Sequence, residues 1–458
     1  MEGGGVSHHR PGLALLLFGT ACRACRRLET VQRAQRRVAR QKGRRWLGTT
    51  TTTMMGRNGG SSRSSDSVAG VDELTRRPAK FIPDYLVPMP SHLLTTTLSD
   101  LLAPSTAETA PSSSKASSSS SSPPWRPPTT TAAVQQHPPR PLPQGHHLVY
   151  FPIQTAPSLL ARGDGADPDH VPPPPDGGAT PFARRMWAGG EVLFAPGWRR
   201  RLLLDGRAWA CEERVESVDV KGPPGAEKVF VDVWRRYGVG HHRSGGGGGG
   251  GGAQQQQQEE EAEGEGAAAG ERAWDIQERR TLVFMRNDEG KTAAATAATP
   301  RRPIKFPHPA TYAVSLTPTP THLFHFSALT FNAHAIHLDP GYARHTDGHR
   351  GLLVHGPLSL ALMLRVLAEQ TGGSGGGGGD IRGSGDGAGA DDAIGNVRRI
   401  AYRNYAPLYA DEPMTVCVRR PAAAGPGSSS SSSSWDVWVE GPDGGLAVKG
   451  TAEMETMD

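Results

Sequence analysis

The histidines in the second half of the chain are the residues whose type and spacing could do chemistry. Eight of them fall between residues 308 and 355: His308, His322, His325, His334, His337, His345, His349 and His355. A neutral imidazole near its usual pKa accepts a proton in one direction of a reaction and returns it in the other. Several imidazoles at short spacing can also bind a metal ion. General acid–base catalysis and metal activation of water are therefore the two chemistries to weigh.

A zinc site is the sharper alternative, because the spacing HxxH occurs at His322/His325 and again at His334/His337. Three protein ligands and an open position on zinc would activate a water molecule. The HExxH pattern of zinc proteases is missing from the sequence. The run 322–326 has the composition of a strand, in which a spacing of three directs two side chains to opposite faces. The sequence therefore favours proton transfer by a histidine over a metal site, and no metal and no cofactor are expected.

A helix that begins just after His355 supplies the second element of a site. Residues 357–370 are apolar on nearly all sides, with Pro357 in the first turn and Gly372 just beyond the end. The N–H groups of a first helical turn have no partners within the helix and can stabilise a developing oxyanion. Gly356 would let a reacting carbonyl group approach closely. For His355, packing at the helix start and lining the site are equally open.

The segment around His337 resembles a known enzyme motif, the hydratase motif of the MaoC-like dehydratases. That motif has a small residue, Gly, Asp, any residue, Asn, Pro, an aliphatic residue, the active-site His, any residue and Asp. Four positions match it: Thr330, Ile336, His337 and Asp339. Four positions differ: Phe331 stands for Gly, Asn332 for Asp, His334 for Asn and Ala335 for Pro. The His355-Gly356 pair resembles the dipeptide that opens the central helix of the hot-dog fold in that family.

The altered form of the motif is similar to that of the fungal mitochondrial 3-hydroxyacyl-thioester dehydratases and of the mesaconyl- and itaconyl-CoA hydratases. Four other stretches resemble this branch: 185–190, 278–279, 402–404 and 449–452. The resemblance implies reversible dehydration of a 3-hydroxyacyl thioester, carried by acyl carrier protein or coenzyme A. Mitochondrial fatty-acid synthesis is the expected role, and hydration of mesaconyl- or itaconyl-CoA is the alternative.

The resemblance also implies roles for individual residues. His337 corresponds to the active-site base, and Gly356, His355 and Pro357 are expected around the oxyanion. Asn332 can only orient water or the substrate hydroxyl, because an amide does not exchange a proton as a carboxylate does. Three arginines are candidates for contacts with the phosphates of the carrier: Arg344, Arg350 and Arg403.

Two further function classes remain open. A hot-dog thioesterase would need a carboxylate to activate water, and Asn332 does not supply one. A non-catalytic acyl-binding protein is favoured if Asn332 marks an inactive site.

The elements that must position these residues are short strands and one buried helix. Strand-like runs occur in both parts of the chain: 191–194, 209–212, 229–234, 281–285, 400–405, 414–419, 435–440 and 446–452. Runs 147–151 and 322–326 are also interpreted as strands, and 181–190 as the helix candidate of the first half. The predicted fold class is α+β, a double hot-dog of antiparallel sheets that each wrap around a buried helix. The halves are expected at 147–290 and 300–458.

Low-complexity tracts interrupt these elements. They are rich in Ser, Pro, Gly or Gln and are predicted to be long disordered insertions at 104–146, 244–270, 372–390 and 422–434. Residues 54–146 are expected to be mostly disordered, with a short helix near 80–102.

The N-terminal residues 1–53 have the composition of a mitochondrial transit peptide, rich in Arg and poor in acidic residues. Their net charge is +9, whereas that of the whole chain is +5, so the remaining chain has a net charge of −4. A mildly acidic body argues against binding of nucleic acid. The apolar run 13–18 is too short to span a membrane. We expect a protein of the mitochondrial matrix. The sequence leaves its oligomeric state open, and a homodimer is one possibility.

Overall fold

The computed structural model describes residues 71–103, 139–173, 180–182, 184–223, 225–241, 273–286, 303–371, 396–420 and 434–455. The α-helices are α1 (Val71–Arg76), α2 (Pro88–Leu102), α3 (Trp198–Arg201), α4 (Pro320–Thr330), α5 (Pro340–His345) and α6 (Gly356–Thr371). Short 3-10 helices span His146–Val149, Pro157–Leu159 and Ala335–His337. The strands are β1 (Lys80–Tyr85), β2 (Arg184–Phe194), β3 (Ala208–Lys221), β4 (Lys228–Val239), β5 (Ile276–Met285), β6 (Tyr312–Leu316), β7 (Val397–Asn404), β8 (Met414–Arg419), β9 (Ser434–Glu440) and β10 (Leu446–Met454).

These strands form one antiparallel sheet in the order β1-β3-β4-β5-β2-β7-β10-β9-β8-β6. Strands of the first half, β1 to β5, are neighbours, and so are strands of the second half, β6 to β10. The two sets meet where β2 pairs with β7, with Gly189 opposite Arg403 and Gly190 opposite Tyr402. A side chain at Gly190 would collide with the backbone of Arg279 on β5. Glycine is therefore required where the halves join.

Helix α6 forms the core of the second half, and it packs on β7, β8 and β9. Its buried side chains include Leu358, Leu360, Leu362, Met363, Leu364, Val366 and Leu367. Burying each of them contributes roughly 1.5–3 kcal/mol. The predicted helix is thus confirmed. Its side chains are apolar on nearly all sides because the sheet wraps around it. The double hot-dog architecture is likewise confirmed.

The first half covers a shorter helical segment. The residues of the 3-10 helix His146–Val149 are buried, and the ring of His147 contacts Phe194 on β2 and Tyr237 on β4. The run 147–151 is therefore not a strand as predicted. Phe151, at the end of this run, has a left-handed φ of 52°, which is incompatible with a strand. Its ring packs against Trp209 and Tyr237.

The helix predicted for the first half at 181–190 is also wrong, because residues 184–194 are strand β2, which pairs with β5 and β7. The prediction of a strand at 322–326 is wrong in the opposite sense. These residues lie in α4, which begins with Pro320 after a reciprocal cap. The Thr319 hydroxyl accepts the N–H of His322, and His322 Nδ1 accepts the N–H of Thr319 at 3.1 Å.

The segment 54–146 contains more structure than expected. Residues 80–85 form edge strand β1 on β3, and the short helix begins only at Pro88. Described residues resume at 139, where Leu142 is buried and Gln144 bonds the backbone of Val397. Residues 1–53 and the tracts 244–270 and 372–390 lie outside the described residues, as do 104–138 and 421–433. Within the described residues no helix is both long and apolar enough for a membrane crossing.

Candidate active site

His337 ends the 3-10 helix Ala335–His337, in the connection between α4 and α5. Its Nδ1 lies 2.8 Å from the carbonyl oxygen of Leu353. Because a carbonyl oxygen only accepts, Nδ1 carries the ring proton and Nε2 keeps a lone pair. His337 is 8% exposed and lines a cavity of about 1270 Å³. The imidazole is therefore oriented as a base whose free nitrogen has access to a ligand.

The acid that ends the motif, Asp339, has a structural role. Its side chain accepts the N–H groups of Gly341 at 2.7 Å and Tyr342 at 3.0 Å, and so caps α5. This cap fixes the chain immediately after His337.

His355 stacks on His337 with ring centroids 3.7 Å apart and an angle of 20° between the planes. Its Nε2 lies 2.9 Å from the hydroxyl of Ser327 on α4. Its Nδ1 is buried and has no hydrogen-bond partner among the described residues. His355 also lines the cavity. Packing at the helix start and lining the site, left open by the sequence, therefore both hold.

Burial keeps this group of imidazoles neutral. It lowers the pKa of His337 to about 4, opposed by the Leu353 hydrogen bond and assisted by the charges of Arg185 and His349. Burial lowers the pKa of His334 to about 3, again with Arg185 as the strongest charge. Burial beside His337 and His334 lowers the pKa of His355 well below its usual value. At neutral pH these rings thus act as neutral acceptors or donors.

Asn332 lines the same cavity, in the turn between α4 and His337. Its Oδ1 accepts the backbone N–H of His334 at 3.1 Å. This bond assigns the amide orientation, since a backbone N–H can only donate, and it leaves the two Nδ2 hydrogens to donate to a ligand. Asn332 can therefore hold a hydroxyl oxygen and cannot take its proton.

The start of α6 reaches the cavity through Gly356 and Pro357. Pro357 has no N–H, so it lines the cavity without donating to an oxyanion. The first described bond of the helix runs from the N–H of Ser359 to the carbonyl of His355 at 3.1 Å. Gly356 precedes this bond, so its N–H has no partner within the helix, and Gly356 also lines the cavity.

A side chain at Gly356 would also meet the neighbouring strand. An added Cβ would lie 3.0 Å from Trp187 Cβ and Cγ and 3.3 Å from Asn404 Nδ2. Trp187 is held by two hydrogen bonds, from its Nε1 to Tyr402 Oη at 2.8 Å and from Asn404 Nδ2 to its carbonyl at 2.7 Å. Close packing, in addition to access for a ligand, explains the glycine.

Of the three arginines expected to meet carrier phosphates, the structure brings one to the cavity. Arg403 lines it and is exposed. Arg344 donates to the backbone carbonyl of Arg350 at 3.0 Å, and Arg350 pairs with Glu412. Neither of those two lines the cavity.

Several groups of the site lie outside the motif. Ser327 and the Leu353 carbonyl hold the two stacked imidazoles, and Trp187 and Arg185 of strand β2 line the cavity. In the sequence, the stretches 185–190 and 402–404 are marked only by their resemblance to the family. That resemblance was the available signal, because both stretches line the cavity.

One group of described residues has the spacing of metal ligands: Asp169, His170 and Glu213, whose ligand atoms lie within 4.8 Å of one another. Two cationic side chains already pair with it, Lys80 with Asp169 and Arg235 with Glu213. Ion pairs therefore account for the proximity of these groups. None of the three belongs to the histidine pairs that suggested zinc.

An antiparallel sheet around a buried helix, with a neutral imidazole beside the helix start, defines the hot-dog dehydratase class. A family model described as "Hydroxyacyl-thioester dehydratase type 2" matches residues 145–410, more than half of the chain. The chain belongs to this family. It is accordingly an enzyme of the hydro-lyase type, and the family suspected from the motif is confirmed.

Two relatives of known activity are similar in sequence. The mesaconyl-C(4)-CoA hydratase of Chloroflexus aurantiacus is 26% identical over 318 residues, 69% of this chain and 84% of that protein. The mitochondrial hydroxyacyl-thioester dehydratase type 2 of Schizosaccharomyces pombe is 23% identical over 279 residues, 60% of this chain and 77% of that protein. Among solved structures, a MaoC-like dehydratase from Phytophthora capsici has 12% identity and a TM-score of 0.47, covering 84% of this chain and 98% of its own.

Proposed function

We propose that the chain catalyses the reversible removal of water from a 3-hydroxyacyl thioester, with His337 as the catalytic base. The observation that carries this proposal is the orientation of the His337 ring. Its Nδ1 is committed to the Leu353 carbonyl, and its Nε2 keeps a lone pair at the cavity that also contains Gly356. That arrangement matches what an α-proton adjacent to a thioester requires.

In the dehydration direction, Nε2 of His337 takes a proton from C2 and the electron pair of that bond moves toward the thioester carbonyl. The C3–O bond then breaks as the C2–C3 double bond forms. The departing oxygen receives the proton from Nε2 and leaves as water, so that His337 returns to its neutral form. Hydration follows the same steps in reverse, and no further acid or oxidant is needed.

Two neighbours support the charge that develops. In the proposed mechanism the N–H of Gly356 donates to the thioester oxygen, where one such donor typically contributes ~2.7–4 kcal/mol of barrier reduction. The Nδ2 group of Asn332 donates to the departing hydroxyl. Because burial lowers the pKa of His337 to about 4, its imidazole is a weaker base than a free imidazole, and the proposed mechanism also relies on stabilisation of the enolate at the start of α6.

The biological role belongs to the same proposal. We place it in mitochondrial fatty-acid synthesis, with the substrate delivered by acyl carrier protein or coenzyme A and Arg403 as a phosphate contact. The transit-peptide composition of residues 1–53 and the mitochondrial relative support a location in the matrix. A second candidate is hydration of a mesaconyl- or itaconyl-type CoA ester, supported by the 26% identical hydratase. The catalytic half is placed at 300–458, after a first half at 147–290, and a homodimer is compatible with both roles.

The test is incubation of the purified full chain with crotonyl-CoA while the absorbance of the enoyl thioester is followed. A parallel assay measures free thiol. Loss of the enoyl absorbance without thiol release is the expected result. Thiol release would instead support a thioesterase, and no change in either assay would support a non-catalytic acyl-binding protein.

A further inference from the structure

The cavity wall contains five arginines, and their partners differ. Three of them pair with carboxylates: Arg235 with Glu213 at 3.0 Å, Arg279 with Asp232 at 3.5 Å and Glu191 at 3.6 Å, and Arg280 with Glu278 at 2.7 Å. Arg403 is exposed to solvent. Arg185 is neither exposed nor in an ion pair with any residue that the structure describes. The carboxylates of Asp164 and Asp167 act on its charge from beyond ion-pair distance.

Arg185 lies on strand β2 and donates from Nη1 to the backbone carbonyl of Asp167. A carbonyl oxygen satisfies one of five N–H donors and supplies no negative charge. Burial lowers the pKa of Arg185, although the carboxylates of Asp167 and Asp164 oppose the shift. A half-buried cation of this kind is stabilised when an anion binds beside it.

Arg185 lines the same cavity as His337 and His334. Among charged side chains it has the largest effect on the pKa of both histidines. The carbons that react must lie against His337, so a group next to Arg185 belongs to the acyl part of the substrate. The phosphates of a carrier lie at the other end of the pantetheine arm and are not adjacent to the reacting carbons.

We infer that Arg185 binds a carboxylate on the acyl group, and that the preferred substrate is the thioester of a short dicarboxylic acid. A planar guanidinium with free N–H donors forms paired hydrogen bonds with a carboxylate. The inference rests on the proposed hydration reaction and names its substrate class. Within that reaction it favours the second candidate role over synthesis of plain aliphatic chains.

A matched pair of substrates tests this inference. Fumaryl-CoA differs from crotonyl-CoA by a carboxylate in place of the terminal methyl group. Wild-type protein is expected to have the higher kcat/KM with fumaryl-CoA. Arg185→Gln should lower kcat/KM for fumaryl-CoA roughly 10- to 100-fold more than it lowers kcat/KM for crotonyl-CoA, the effect of losing a hydrogen bond to a charged group. Arg419→Gln, which removes a strand arginine paired with Asp436 away from the cavity, is the control.

Equal losses with the two substrates would mean that Arg185 acts through His337, and would overturn the inference. Binding measured by calorimetry makes the test independent of turnover and of how the variant folds. Wild-type protein should bind succinyl-CoA more tightly than butyryl-CoA, and equal affinities would overturn the inference. Arg185→Lys, which keeps the charge without the planar group, should retain part of this preference. A wild-type protein that prefers succinyl-CoA but hydrates neither enoyl ester would refute the proposed reaction and uphold the carboxylate site.

Discussion

Substitution of Gly356 by alanine should displace the start of α6 while the rest of the fold is retained. The added Cβ would lie 3.0 Å from Trp187 Cβ and Cγ, whereas carbon atoms in ordinary contact are about 3.5–4.0 Å apart. The helix start or the tryptophan must therefore move by about 0.5–1 Å. Trp187 resists the movement, because Tyr402 and Asn404 hold it by hydrogen bonds.

The energetic balance follows from these contacts. Overpacking costs about 1–3 kcal/mol, and replacing a glycine whose φ is not left-handed returns about 0.4–1 kcal/mol through the unfolded chain. A net loss of about 1–2 kcal/mol in the free energy of unfolding is expected from denaturant titration. The displaced N–H should cost more in rate, about 10- to 100-fold in kcat, because a 1 Å misplacement can cost about 100-fold.

The matched control is Gly351→Ala, whose Cβ would have its nearest neighbour, Tyr409 Cδ1, at 4.0 Å. This variant should retain the wild-type rate of crotonyl-CoA hydration. A Gly356→Ala protein with the same kcat as the control would show that α6 does not position an oxyanion donor.

Three further predictions concern the same site. Hydration should keep its rate as the pH is lowered from 8 to 5 and fall toward pH 4, where His337 becomes protonated; a rate that halves near pH 6.5 would contradict this. Ser327→Ala should lower the free energy of unfolding by about 1–3 kcal/mol, because His355 then lacks its hydrogen bond in a buried site, and an unchanged denaturation midpoint would count against it. Arg403→Gln should raise KM for a CoA ester while Arg350→Gln leaves KM unchanged, and equal effects would refute the distinction between the two positions.

The buried histidines also link stability to pH. The pKa of His337 is about 4 in the folded chain and 6.5 when unfolded, so the unfolded state binds the extra proton between these values. The stabilisation is complete above pH 6.5 and is lost as the pH falls to about 4, by about 3 kcal/mol for this group at 1.36 kcal/mol per unit. Denaturant titrations at pH 7.5 and pH 4.5 should show this loss, and a stability that is the same at both would contradict it.

Most of the second half could be predicted from the sequence, because its signals are local. The sequence 357–370 is apolar on nearly all sides and lies between two helix-boundary signals, Pro357 and Gly372, and the burial of α6 follows from that pattern. The wrong prediction at 322–326 has a physical cause. Alternation of His, Leu and Phe imitates the period of a strand, whereas the Thr319–His322 cap that determines the helix uses a histidine where a glutamate is usual.

The candidate site could be predicted only in part, for a related reason. His337, Asn332 and Gly356 are close in sequence, and all three line the cavity. Arg185 comes from a strand that was interpreted as a helix, and its lack of an ionic partner is a property of the folded cavity. Arg350, in contrast, has the composition of a phosphate contact but pairs with Glu412, which no sequence spacing indicates.

The role of His337 as the base is tested most directly by the hydration of crotonyl-CoA by His337→Ala. A loss of at least about 100-fold in kcat is expected, the usual contribution of a positioned acid–base group, with circular dichroism and CoA-ester binding retained. A folded His337→Ala protein that hydrates crotonyl-CoA at the wild-type rate would contradict the assignment of His337 as the base.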